Sequence, residues 1–162
     1  MTAVDKALTV ADMKRLAHRR VPKMFFEYAD SGSYTEGTYR DNESDFQKIL
    51  LNQKVAVNLE GRNLKVKMLG QDITMPVAIA PAATGGMQVA DGEIKAAKAA
   101  EKFGIPLSLS TMSVCSIEDI AENTTAPFWF QLYVMRARDF INRLIDRAKA
   151  ANCSALILTM DL

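Results

Sequence analysis

The spacing of hydrophobic positions changes twice along this chain. A compact run from Pro22, with Met24, Phe25, Phe26, Tyr28 and Ala29 and closed by Asp30-Ser31-Gly32, predicts a helix with proline in its first turn and glycine just past its end. Between Leu51 and Ile73 the pattern becomes short alternating stretches, Val55 to Val57 and Leu64 to Met68, separated by Glu60 to Asn63. Alternation of that kind predicts a small antiparallel excursion ahead of the main fold.

After Met75 strand-like and helix-like runs alternate regularly. Val77 to Ala80 reads as a buried strand, and Asp91 to Phe103 as a helix capped by Asp91 and stopped by Gly104. Ile105 to Leu109 is a second strand, and Ser116 with Asp119 has the spacing of a capping box, opening a helix to about Glu122. Phe128 to Tyr133 is a third strand, followed by a helical stripe of Phe140, Ile141, Leu144, Ile145 and Ala148. Ala155 to Met160 is a fourth strand. The strand starts stand 28, 23 and 27 residues apart, which is βαβ spacing, and right-handed crossovers make such strands parallel. A doubly wound open sheet and a (β/α)8 TIM barrel both fit. The first strand ends in Pro81-Ala82-Ala83-Thr84-Gly85-Gly86 and not in a G-x-G-x-x-G turn, which counts against a nicotinamide-type nucleotide fold.

Composition narrows the class. At 162 residues the chain is about one domain long, and its 49% hydrophobic and 24% charged residues exclude disordered and low-complexity scaffolds. Twenty basic residues against nineteen acidic leave +1, so no global field draws the chain to nucleic acid. Five of the basic residues lie between Lys14 and Lys23 without interleaved aromatics, the pattern of a solvated helix face. The one histidine, His18, sits in that segment and reads as solvated. Cys115 and Cys153 are too few for a disulfide framework or a metal site and read as reduced, buried thiols. Neither a signal peptide nor a spanning helix is expected, because the N-terminus has no apolar core and the longest apolar stretch carries two prolines.

Polar residues gather where the strands end: Ser108 and Ser110, Gln131 and Tyr133, Thr159 and Asp161. Residues two apart on a strand share a face, and a barrel carries its active site at this end. Hydroxyls and an amide offer donors and acceptors without charge, which suits the edge of a heteroaromatic ring better than a metal or a bare phosphate. The small side chains of Pro81 to Gly86 would let a flat ligand approach the backbone, although a tight βα turn has the same composition. Asp161 either orients a catalytic base or caps a following helix.

Five blocks in order resemble the FMN-dependent α-hydroxy-acid dehydrogenase/oxidase family: Pro22 to Gly32, Met75 to Pro81, Leu109 to Thr111, Trp129 to Tyr133 and Leu158 to Asp161. The resemblance runs from about Leu16 to Leu162 and is most like the bacterial respiratory L-lactate dehydrogenases, with mandelate dehydrogenases next. It implies a TIM barrel of which residues 1–74 are a helical and hairpin preface and 75–162 the first four βα units. It further implies that the Pro81, Ala82 and Ala83 backbone lies beside FMN, and that Ser110, Gln131 and Thr159 hydrogen-bond it. Tyr28 and Tyr133 would bind the substrate, and Asp161 would hold the catalytic histidine.

The implied reaction is oxidation of a small L-2-hydroxy acid, L-lactate foremost, with electrons passed to a quinone, a cytochrome or oxygen. The implied protein is a cytoplasmic homo-oligomer, peripheral to the inner face of the cell membrane. Because the family's barrel has eight strands and four are read here, the flavin-facing lysine, the histidine base and the carboxylate-binding arginine are expected outside these residues. The rival expectation is a non-enzymatic half barrel whose open edge pairs with a second polypeptide or with itself.

Overall fold

A computed structural model describes residues 4–160, which form two compact units meeting in sequence between Arg62 and Asn63. The hairpin grouped above with the preface therefore counts with the second unit.

The first unit is helical. Helix α1 (Val10–His18) begins with a capping box that the sequence reading did not identify: Thr9 Oγ1 accepts from the Asp12 amide, and Asp12 Oδ2 accepts from the Thr9 amide at 2.9 Å. Helix α2 (Lys23–Ala29) follows Pro22 as expected, and α3 (Gly37–Ser44) runs on into a single 3-10 turn, Asp45–Lys48. A polar knot ties the three helices. Asp30, just past α2, pairs with Lys14 at 2.5 Å and accepts from the Tyr39 hydroxyl at 2.7 Å. Both partners favour the ionised carboxylate and hold the Asp30 pKa below its ordinary value. His18 is exposed, as expected, with its ring edge-on to Phe26 at 5.0 Å.

The second unit is α/β. It opens with the hairpin β1 (Val66–Met68) and β2 (Gln71–Ile73), in register Val66↔Ile73 and Met68↔Gln71. This corrects the expected excursion: Val55 to Val57 forms no strand, and the partner of Leu64 to Met68 lies after it. Leu69 and Gly70 both have positive φ, 47° and 82°, the geometry of a two-residue I′ turn whose twist matches the flanking strands.

The expected strand at Val77 to Ala80 shrinks to one parallel bridge, Ile79↔Leu107. Pro76 and Pro81 flank it, and each lacks the N–H that a ladder needs. Helix α4 (Gly85–Gln88) is a single turn, and α5 (Gly92–Phe103) is the first long helix of the unit. Asp91 is not its side-chain cap: the residue is left-handed, φ 56°, and its carboxylate bonds no helix N–H. Gly104 does end the helix in the left-handed conformation, φ 66°, as expected.

Strands β3 (Ser108–Ser110), β4 (Trp129–Leu132) and β5 (Ala155–Leu158) form a parallel sheet in the order β3-β4-β5. Helix α6 (Ile117–Asn123) links β3 to β4, and α7 (Arg138–Ala150) links β4 to β5. The predicted capping box holds, with the Asp119 amide donating to Ser116 Oγ at 3.0 Å and the Ser116 amide to Asp119 Oδ2 at 2.7 Å.

The register sorts the side chains into two faces. Leu107, Leu109, Phe128, Phe130 and Leu132 join Ala97 and Ala100 of α5, Ile117 and Ile120 of α6, and Leu144 and Ala148 of α7 in one buried cluster. Ser108 pairs with Trp129, and Ser110 with Gln131, on the opposite face. Every residue of β3 and β4 is nevertheless buried, as in parallel sheets covered on both sides. The hairpin covers one end of this second face: Trp129, first in β4, donates its indole N–H to Gln71 Oε1 at 3.1 Å. The C-terminal strand ends are thereby left to the polar residues.

Candidate functional site at the C-terminal strand ends

Across the ends of β3, β4 and β5 the polar residues meet in one hydrogen-bonded row. Ser110 Oγ donates to Gln131 Oε1 at 3.0 Å, and Gln131 Nε2 donates to Thr159 Oγ1 at 2.7 Å. The Thr111 amide also reaches Gln131 Oε1, at 3.3 Å, and since an amide N–H can only donate, it fixes which end of the Gln131 amide is oxygen. Gln131 is buried while Thr159 is half-buried, so the row runs from the interior toward the open edge of β5.

Thr111 was absent from the candidate residues, yet it locks the row from behind. Its hydroxyl donates to the Gln131 carbonyl at 2.6 Å and accepts from the Tyr133 amide at 3.2 Å. Its signal in the sequence was its place directly after Ser110. The loop it opens is closed by two further bonds, from the Met112 amide to Ser110 Oγ and from the Ser110 amide to Ser113 Oγ.

Among the described residues, Gln131 keeps one N–H and Thr159 its hydroxyl hydrogen without a partner. The row therefore presents uncharged donors, which suit the carbonyl and ring-nitrogen acceptors of a heteroaromatic edge.

Other candidates lie differently. β4 ends at Leu132, so the strand period does not carry on to Tyr133, which is half-buried beyond it; the expected common face with Gln131 is not a property of the strand. Pro81, Ala82 and Ala83 follow the Ile79 bridge, with Ala82 exposed and its two neighbours half-buried. Ala82 also lines a cavity of about 80 Å3 with Gly85, Glu93, Ser108 and Ser113. Tyr28 is an exposed residue of α2 in the first unit. Asp161 lies outside the described residues.

Among the described residues Glu93 is the one buried acid, it was not among the candidates from sequence, and it sits in the first turn of α5. Burial works against its charge, but N–H donors from Gly86 and Val114 and the thiol of Cys115 outweigh that and keep its pKa below the ordinary value. Cys115 responds in the opposite sense: burial, then the neighbouring carboxylate, raise its pKa. Both cysteines are free, as expected, but half-buried and not fully buried as the sequence suggests. Among the described residues no group of metal-ligating side chains assembles, and no helix is long and apolar enough to cross a membrane.

Known proteins are similar to this chain in sequence and in fold. The family model described as FMN-dependent dehydrogenase matches residues 17–162. An L-lactate dehydrogenase of Acinetobacter baumannii is 44% identical over 151 residues, covering 93% of this chain and 39% of that protein. An L-lactate dehydrogenase of Haemophilus influenzae is 42% identical over 154 residues, covering 95% of this chain and 40% of its own. A soluble mutant of the membrane-associated (S)-mandelate dehydrogenase from Pseudomonas putida superposes with a TM-score of 0.90 at 34% identity, covering 97% of this chain and 45% of that one. The chain thus spans about two fifths of the length of the curated relatives it matches. With the family model covering nearly the whole chain, and with the mandelate enzyme superposing closely on it, this chain belongs to the FMN-dependent dehydrogenase family.

Proposed function

We propose that the full-length protein oxidises a small L-2-hydroxy acid with FMN, L-lactate foremost, inside a closed (β/α)8 barrel of which residues 75–162 are the first four βα units. The observation that carries this reading is the Ser110–Gln131–Thr159 row at the C-terminal ends of three parallel strands. Lactate is favoured over mandelate by the identity to two bacterial L-lactate dehydrogenases, 44% and 42%, against 34% to the mandelate enzyme.

The residues present fit FMN. Gln131 and Thr159 offer uncharged donors to the flavin's pyrimidine edge, with Ser110 fixing Gln131 from behind. Pro81, Ala82 and Ala83 carry small side chains, so the backbone there is open to a flat ring system. FMN, when bound, supplies a two-electron acceptor for the substrate's α-carbon. Tyr133 would donate its phenol hydrogen to the substrate, and Tyr28 would complete the carboxylate site. Asp161 would orient the histidine base and favour its protonated form. A quinone, a cytochrome or oxygen would take the electrons onward.

The test is to purify the full-length protein and measure bound flavin and dye reduction with L-lactate and (S)-mandelate. Stoichiometric FMN with higher kcat/KM for L-lactate is the expected result. A protein that retains no FMN and oxidises no 2-hydroxy acid overturns the proposal. In that case the apolar edge of β5, where Leu156 is 48% and Leu158 50% exposed, would favour the half barrel that pairs with another chain.

A further inference from the structure

Glu93 stands outside the hydrogen-bonded row, and its surroundings are unusual for a carboxylate. The side chain is 6% exposed with no cationic partner bonded to it among the described residues. One oxygen, Oε1, receives two backbone N–H groups from different loops: Gly86 at 3.0 Å and Val114 at 3.2 Å. Gly86 belongs to the turn that continues Pro81 to Ala83, and Val114 to the loop that continues Ser110 to Ser113. The first loop carries the backbone proposed to face the flavin, and the second follows Ser110, which holds Gln131 of the row. The other oxygen, Oε2, is buried without a hydrogen-bond partner, and besides the neighbouring Cys115 thiol the two amides on Oε1 are what hold the carboxylate in place.

The glycines agree with a deliberate close approach. A Cβ on Gly86 would come within 2.7 Å of Val114 Cβ and 3.1 Å of Glu93 Oε2, and one on Gly85 within 3.2 Å of Glu93 Oε1. A Cβ on Gly92 would strike the Gly85 carbonyl. Only bare backbone lets the first loop close onto the second around this acid.

We propose that Glu93 is a positioning residue that bridges the loop after Ile79 to the loop after β3, and so sets the backbone of Pro81 to Ala83 against the Ser110–Gln131–Thr159 row at the spacing FMN requires. The proposal rests on the FMN site described above. The required property is an acceptor shared by two amides, and not charge as such. Glutamine can present the same acceptor oxygen, aspartate is one methylene too short to reach both loops, and alanine leaves both N–H groups unmet.

The full-length protein is prepared with Glu93 intact and as Glu93→Gln, Glu93→Asp and Glu93→Ala, with Glu118→Gln on the exposed side of α6 as a control. FMN affinity is measured by quenching of flavin fluorescence in titrations of the apoprotein. Separately, hydrogen exchange of the Gly86 and Val114 amides is followed without flavin. Glu93→Gln is expected to stay close to the parent in both readouts. Glu93→Asp and Glu93→Ala are expected to bind FMN roughly tenfold or more weakly and to lose protection at both amides.

Equal loss in Glu93→Gln and Glu93→Ala would overturn the shared-acceptor role, as would unchanged FMN affinity in Glu93→Ala. If Glu93→Ala fails to fold, Glu93→Asp against Glu93→Gln makes the same comparison. A parent protein that binds no FMN at all sinks the flavin site itself and with it the positioning role, while amide protection still reports whether Glu93 bridges the two loops.

Discussion

Gln131 on β4 and Thr159 just past β5 are joined side chain to side chain at 2.7 Å, although 28 positions separate them in the chain. The strand register Leu132↔Leu158 and the bond from the Thr159 amide to the Leu132 carbonyl bring the two together. The amide of Gln131 is held on its other side by Ser110 and Thr111, so Thr159 receives a donor whose direction is already set.

Truncating Gln131 should therefore act on flavin, and removing the Tyr133 hydroxyl should act on turnover. Gln131→Ala deletes the donor to Thr159 and leaves the buried Ser110 hydroxyl unmatched, while the Thr111 amide keeps its bond to the Gln131 main-chain carbonyl, so FMN retention should fall by tenfold or more, about 1.4 kcal/mol at least. Tyr133→Phe should keep its flavin and lose roughly ten- to a hundredfold in kcat/KM, the worth of about 1.5–3 kcal/mol for one hydrogen bond to a charged group. Flavin per chain and kcat/KM for both variants check this; the opposite pattern would exchange the two roles.

Gly104→Ala should destabilise the second unit. The residue ends α5 at φ 66°, and an added Cβ would come within 2.5 Å of Thr74 Cγ2, while the Gly104 carbonyl accepts from the Thr74 amide at 3.0 Å. The left-handed backbone alone costs an alanine about 1–2 kcal/mol, and displacing Thr74 adds to it. Urea unfolding should show a lower midpoint with an unchanged m-value.

The pair Arg147–Glu118, linking α7 to α6, should make stability fall in strong acid. Two bonds, 2.7 and 2.6 Å, join the guanidinium to the carboxylate and lower the Glu118 pKa to about 2. A depressed carboxylate pKa means the unfolded state takes up protons first. The pair's contribution is thus whole above the unfolded pKa of roughly 4.3 and lost as pH falls through about 2. Since both side chains are nearly half exposed, solvent screening holds the contribution to about 0.5–1 kcal/mol. Glu118→Gln should lower stability by that amount at pH 7 and by nothing near pH 1.5, read from urea midpoints.

Cys153 should resist alkylation while the protein is folded. Burial pushes its thiol pKa up to about 11, and the thiolate is the reactive form. Iodoacetamide at pH 8 should modify it on the order of a hundredfold more slowly than after unfolding in urea. Mass spectrometry of the Cys153 peptide measures both rates, and equal rates would refute the burial argument.

The order of strands and helices was legible in the linear pattern because its determinants are local. The stripe through α7, the Ser116–Asp119 box and the left-handed stop at Gly104 each depend on residues within a few positions of one another. Family membership was legible too, since five blocks stood in order along nearly the whole chain. The misplaced hairpin shows where such reading fails: Val55 to Val57 alternates as a strand should, but pairing went to Gln71–Ile73, which a two-residue turn delivers.

What only the tertiary structure decided is which polar groups meet. Alternation placed Ser110 and Gln131 at strand ends, but the bonds among Ser110, Thr111, Gln131 and Thr159 exist because the register of three parallel strands stacks positions 20 to 28 residues apart. Glu93 is the stronger case. On a helical wheel it is one more charged residue in a first turn, and nothing within four positions marks it. Its burial follows from the Gly86 and Val114 amides, which fold back from 7 and 21 positions away to share one oxygen. Local propensity sets periodicity and caps, whereas the satisfaction of buried polar groups is settled by loops that become neighbours only once the sheet has formed.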